Sequence, residues 1–130
     1  MKRLFFLLVV IIVLIQLCAC SPTPKVKASQ KAISIANRAV RLLDDYLDGN
    51  IGGKEANDGM DELRDQIAYA SEYAGKEQTP EQAGDLKIYF LITTTAWDVS
   101  KDGYCGNSET YEKVVNDRND IAGVLGIKDR

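Results

Sequence analysis

The sequence predicts an all-α protein, a small antiparallel bundle of about four helices that follows an apolar leader and a short tether. Three observations carry this expectation. Apolar residues recur at three- and four-residue spacings through most of residues 30–130, glycines punctuate that pattern, and Thr79 opens its longest stretch with a strong helix-start signal. The chain has 130 residues, and with the N-terminal segment set aside it leaves room for one small domain.

In the first helix Ile33, Ala36, Val40, Leu43 and Leu47 form a one-sided stripe that ends at Asp48-Gly49. The second, about Glu55 to Ala74, carries Ala56, Met60, Leu63, Ile67, Ala70 and Ala74 as a narrow seam, with Gly75 as its stop. Tyr69 and Tyr73 sit beside that seam, where rings at the rim of a core with wet hydroxyls are expected. The third combines Thr79 as N-cap, Pro80 at the first position, Glu81 in the first turn and Gln82 at the capping-box site, and is expected to reach Lys101 before Asp102-Gly103.

Within that third segment, Ile88 to Thr95 reads IYFLITTT, which in isolation has strand character. The cap and the length favour a helix buried on several sides, the central element of the bundle. The fourth helix starts near Asn107 or Ser108 and sets Tyr111, Val114, Val115, Ile121, Ala122 and Leu125 on one face. Gly126 ends it, and Ile127 is expected to fold back on the last turn.

Composition removes most common chemistries. There is no histidine, which excludes imidazole acid/base catalysis, histidine-activated nucleophiles and histidine-ligated zinc. Glycine-rich phosphate loops, GxSxG and CxxC are absent as well. Asp58, Asp61, Glu62 and Asp65 share one face of the second helix, where a solvated polar face is the expected role. No enzyme and no cofactor are therefore expected.

Charge is unevenly spread. Residues 25–41 carry five basic side chains and no acid, whereas residues 42–130 hold nine basic against 19 acidic, a net of −10. The basic arm suits anionic head groups, and the acidic body argues against nucleic acid as a partner.

At the N-terminus, Lys2 and Arg3 precede an apolar run from Leu4 to Leu17 that only Gln16 interrupts, the pattern of a secretory signal. Extended through Cys20 the run reaches 17 residues, short of the roughly 20 that a spanning helix takes, and Pro22 and Pro24 bar its continuation. The stretch Leu17-Cys18-Ala19-Cys20 resembles the lipobox of bacterial lipoprotein precursors. That resemblance implies cleavage after Ala19 and a diacylglyceryl group on the Cys20 sulfur, whose two acyl chains hold a protein stably where one would not. It divides the chain into a signal peptide (1–19), a lipidated tether (20–29) and the bundle (30–130). Its expected location is the cell membrane, lipid-anchored, on the extracytoplasmic side.

After such processing only Cys105 remains a thiol, so no internal disulfide is expected. Cys105 lies in KDGYCGNSE, and a small residue partly covered by its loop is the expected role.

One further stretch has a specific pattern. Asp44 to Glu55, DDYLDGNIGGKE, resembles an EF-hand calcium loop, with acids at positions 1 (Asp44) and 5 (Asp48), glycine at 6 (Gly49), an aliphatic residue at 8 (Ile51) and glutamate at 12 (Glu55). It departs at position 3, where Tyr46 stands in place of an oxygen ligand, and at position 9, which is Gly52. The resemblance makes Asp44, Asp48 and Glu55 the candidate metal ligands. An account without metal is complete: Gly49 caps one helix, Ile51 packs under the turn and Glu55 begins the next.

Together these readings lead to an anchored, non-catalytic protein-binding module of exclusion, immunity or envelope-accessory type. The alternative is a calcium-responsive helical module that uses the loop from Asp44 to Glu55.

Overall fold

Helix starts coincide with caps that the sequence supplies. In the computed structural model, which describes residues 22–130, α1 is Gln30–Leu47, α2 is Gly53–Gln66, a 3-10 helix spans Ala68–Tyr73, α3 is Pro80–Cys105 and α4 is Ser108–Leu125. The Ser29, Thr79 and Asn107 side chains accept hydrogen bonds from the backbone N–H groups of Ala32, Gln82 and Thr110, so α1, α3 and α4 each satisfy an orphan donor at the start. Thr79 and Gln82 complete a reciprocal capping box. The signal peptide, the stretch Leu17 to Cys20 and its expected lipidation lie outside the described residues.

Each helix packs on its neighbours in an up-and-down ring: α1 against α2 and α4, α3 against α2 and α4, with α1 and α3 on the diagonal. The core between them holds Leu43, Met60, Ile67, Ile88, Ile92, Val99, Val114, Ile121 and Leu125, all fully buried. Each large aliphatic so buried contributes about 1.5–3 kcal/mol, and with no disulfide among the described residues that packing holds the fold. No strand occurs among the described residues. Ile88 to Thr95 is helical, and Thr93 and Thr95 turn their hydroxyls back onto the carbonyls of Tyr89 and Leu91, which accommodates β-branched side chains within a helix.

Two boundaries differ from expectation. The second helix is not continuous to Ala74: Ile67 departs from helical geometry at φ −109° and ψ 6°, and the chain tightens into the 3-10 helix. A 3-10 turn eclipses residues three apart, and Ile67 and Ala70, both fully buried, point inward together as a result. The third helix runs past Asp102-Gly103 to Cys105 and ends at Gly106 in the left-handed region, φ 55°. Asp102 is buried in that extra turn, where its carboxylate accepts from the Tyr46 and Thr110 hydroxyls at 2.5 Å each. Cys105 is consequently the exposed last residue of a helix rather than part of a loop.

The segment from Pro22 to Ser29 is not a free tether. Lys25 donates its N–H to the Val124 carbonyl at 2.9 Å, Val26 and Ala28 pack on the core, and Gly84 leaves room for the Lys27 carbonyl against α3, where any Cβ would collide. At that same C-terminal end of α4, Gly126 (φ 72°) closes the helix, and Ile127 folds back through its N–H to the Ala122 carbonyl as expected.

Candidate interaction surface

Among the described residues one face of α3 has no neighbour, and it carries rings. Phe90, Trp97 and Tyr104 are 52%, 73% and 91% exposed. Seven-residue steps rotate a helix by about 20° short of two full turns, so the three rings stand in a line about 21 Å long. Lys87, Thr94 and Lys101, all exposed, interleave with them on the same face. The third helix is therefore not the enclosed central element expected: it holds a corner of the ring, packed on α2, α4 and, across the diagonal, α1, with its outward face open. Beside the stripe, toward α4, lies a groove of about 460 Å³ lined by Leu86, Phe90, Leu91 and Thr94, with Asp117 and Asp120 at its far wall. On the α2 side, Asp61 and Arg64 flank Trp97.

Three carboxylates are buried on α3, and their surroundings differ. Asp85 accepts from the Ser29 N–H (2.7 Å), the Ser29 hydroxyl (2.8 Å) and the Tyr69 hydroxyl (2.9 Å), which ties the starts of α1 and α3 to the 3-10 helix. Tyr69 was expected to keep a wet hydroxyl; instead its hydroxyl is partnered, its ring meets Tyr73 edge-on and Lys31 sits 4.6 Å over it. Burial, followed by the Asp85 contact, pushes the Tyr69 phenol above its ordinary range, against a lowering contribution from Ser29. At the opposite end Asp102 is satisfied by Tyr46 and Thr110, and burial together with that carboxylate pushes Tyr46 up to about 12. Both centres are closed hydrogen-bond networks that fix the fold.

Asp98 is different. It is 2% exposed, and neither of its carboxylate oxygens has a hydrogen-bond partner among the described residues. Lys113 Nζ approaches Oδ1 to 3.0 Å as an ion pair without hydrogen-bond alignment. Asp117, one helical turn beyond Lys113 on α4, also has an unpartnered buried oxygen, Oδ2. Burial first and the Asp98 carboxylate second raise Asp117 to about 7. A carboxyl with such a pKa is suited to acid/base work; of the two threonines that line the groove, Thr95 turns its hydroxyl back onto the Leu91 carbonyl.

The loop from Asp44 to Glu55 is spread over two helices. Asp44 lies on α1, and its carboxylate receives Arg118 Nε at 2.9 Å and a second guanidinium nitrogen at 3.1 Å, with Arg130 at 3.5 Å. Asp48, the C-cap of α1, pairs with Arg130 at 2.5 Å. Glu55 is exposed in the first turn of α2. Arg118 is itself buried and also donates to the Lys128 carbonyl at 2.9 Å. Among the described residues no three cysteine, aspartate or glutamate side chains gather as a metal-binding group. The α2 carboxylates are spent in exposed pairs, Asp58 with Lys54 and Asp61 and Asp65 with Arg64.

No protein-family model, no curated protein and no solved structure matches the chain. None of the described helices is long and apolar enough to cross a membrane.

Proposed function

We propose that this chain is a lipid-anchored bacterial envelope protein whose helical bundle works by binding another protein, without catalysis, through the outward face of α3. The observation that carries the binding reading is the line of three exposed rings, Phe90, Trp97 and Tyr104, on an otherwise charged body. Contiguous exposed aromatic surface is costly to leave in water and marks interaction sites, where tyrosine and tryptophan are enriched. Support for the anchor comes from the Leu17 to Cys20 stretch after its apolar run. Because Lys25 to Ser29 is strapped to the bundle, a lipid on Cys20 would stand five residues, at most about 17 Å of chain, from the first backbone bond to the fold. Exposed Lys25 and Lys27 next to that point favour anionic head groups by about 1 kcal/mol each. The module is of exclusion, immunity or envelope-accessory type.

The test is photo-crosslinking in living cells from position 97 of the membrane-bound full chain, with position 72 on the 3-10 helix as control. The expected result is one discrete adduct from position 97 that is absent from position 72. Equal capture of abundant neighbours from both positions, together with turnover of a small molecule by the purified protein, would overturn the proposal.

A further inference from the structure

We infer that the occupant of the outward face of α3 is a second copy of this chain, which lays its own α3 antiparallel in the same seam. This deepens the interaction reading of that face and rests on it. The exposed positions Lys87, Phe90, Thr94, Trp97, Lys101 and Tyr104 alternate at three and four residues, the spacing of a helix-pairing seam. They fall into two classes. Every seventh residue from Phe90 is aromatic, while the intervening set is Lys87, Thr94 and Lys101.

An antiparallel pair sets one class against the other. With the two-fold axis between Thr94 and Trp97, Lys87 meets the partner's Tyr104, Phe90 meets the partner's Lys101, and Thr94 meets the partner's Trp97. The same contacts repeat on the other side of the axis. Each lysine then caps a ring, a contact worth about 0.5–1 kcal/mol when exposed and more when desolvated, and each aromatic faces a smaller or flexible side chain. A parallel pair would instead set Lys87 on Lys87 and Lys101 on Lys101, with like charges in the seam. The seam is therefore self-complementary in one orientation only.

Area and charge agree with this occupant. The exposed parts of the three rings amount to about 430 Å² per copy, more than half of the roughly 800 Å² that a stable interface takes from each partner. A lipid surface fits the same face less well, because Asp61 on one side and Asp117 and Asp120 on the other border the stripe. Anionic head groups would be repelled there.

The test is disulfide trapping of the full chain in the membranes of cells that express it, on a Cys105→Ser background whose own signal accounts for the leader cysteines. In Phe90→Cys/Lys101→Cys the two thiols lie 11 residues, about 16 Å, apart on one helix, too far for a bond within the chain. Oxidation should give a covalent dimer at more than tenfold the background, and so should Lys87→Cys/Tyr104→Cys, which leaves Phe90 and Trp97 in place. The single variant Phe90→Cys should stay at background. A dimer from that single variant would show parallel pairing and overturn the inference, as would silence from both double variants in chains that retain their helical circular dichroism. Trapping that persists in a Cys20→Ala chain separates the dimer from the anchor, so the two readings fail independently.

Discussion

The carboxylate pair Asp98 and Asp117 makes stability depend on pH in a direction set by the structure. Asp117 is raised from its ordinary 3.8 to about 7 by burial and by the facing Asp98. For a folded-state pKa raised above the unfolded one, the stabilisation is complete below about pH 4 and is lost as pH climbs through about 7, because the native chain holds a proton that the unfolded chain has released. Three units at about 1.36 kcal/mol each give an upper bound near 4 kcal/mol. Asp117 is only half buried, and Lys113 at 3.0 Å from Asp98 offsets part of the repulsion, so solvent screening reduces this to about 1–2 kcal/mol. Asp117→Asn fixes the neutral state. In urea unfolding followed by circular dichroism, the variant should match the wild type near pH 3, draw ahead of it between about pH 4 and 7, and exceed it by about 1–2 kcal/mol near pH 8. The other titrating groups are common to both proteins and cancel in the difference. A gap that stays constant across that range would refute the raised Asp117 carboxyl.

Three further perturbations have defined outcomes. Cys20→Ala should leave the precursor uncleaved and unlipidated on a mass spectrum while Cys18→Ala changes little; equal maturation of wild type and Cys20→Ala would end the lipoprotein reading. Arg118→Ala strips a bidentate partner from Asp44 and a donor from the Lys128 carbonyl, and should cost about 2–3 kcal/mol in denaturant unfolding, less than a fully buried pair because Asp44 is a third exposed; a loss under about 0.5 kcal/mol would contradict it. Calcium in the millimolar range should leave Tm nearly unchanged, since arginines hold Asp44 and Asp48 and stabilisation grows only once ligand exceeds its Kd; a calcium-dependent rise that vanishes in Glu55→Gln would promote the calcium-responsive alternative.

The starts of α3 and α4 were legible because Thr79 and Asn107 act on backbone groups three residues away, whereas Ser29, which caps α1 in the same way, reads in the sequence as the end of the tether. The break at Ile67 was not, since Ile67 and Ala70 suit an apolar seam in either an α- or a 3-10 helix, and tertiary packing decides between them. Asp102 looked like a stop signal until Tyr46, 56 residues away, supplied its hydrogen bond. Arg118 with Asp44 and Asp98 with Asp117 are long-range pairs for which a single sequence carries no signal. The ring line was available at seven-residue spacing, but the strand-like run Ile88 to Thr95 drew attention to burial instead of to the face that stays open.

Trp97 is the only tryptophan and stands mid-seam, so its emission reports directly on the outward face of α3. The decisive measurement is that emission from full chain reconstituted in neutral and in anionic vesicles over a wide range of protein-to-lipid ratios. The account predicts solvent-exposed emission at high dilution in both lipids and a shift to shorter wavelength as the copies crowd together. Emission that stays at long wavelength at every density, or that is already short at the greatest dilution in lipid, would contradict it.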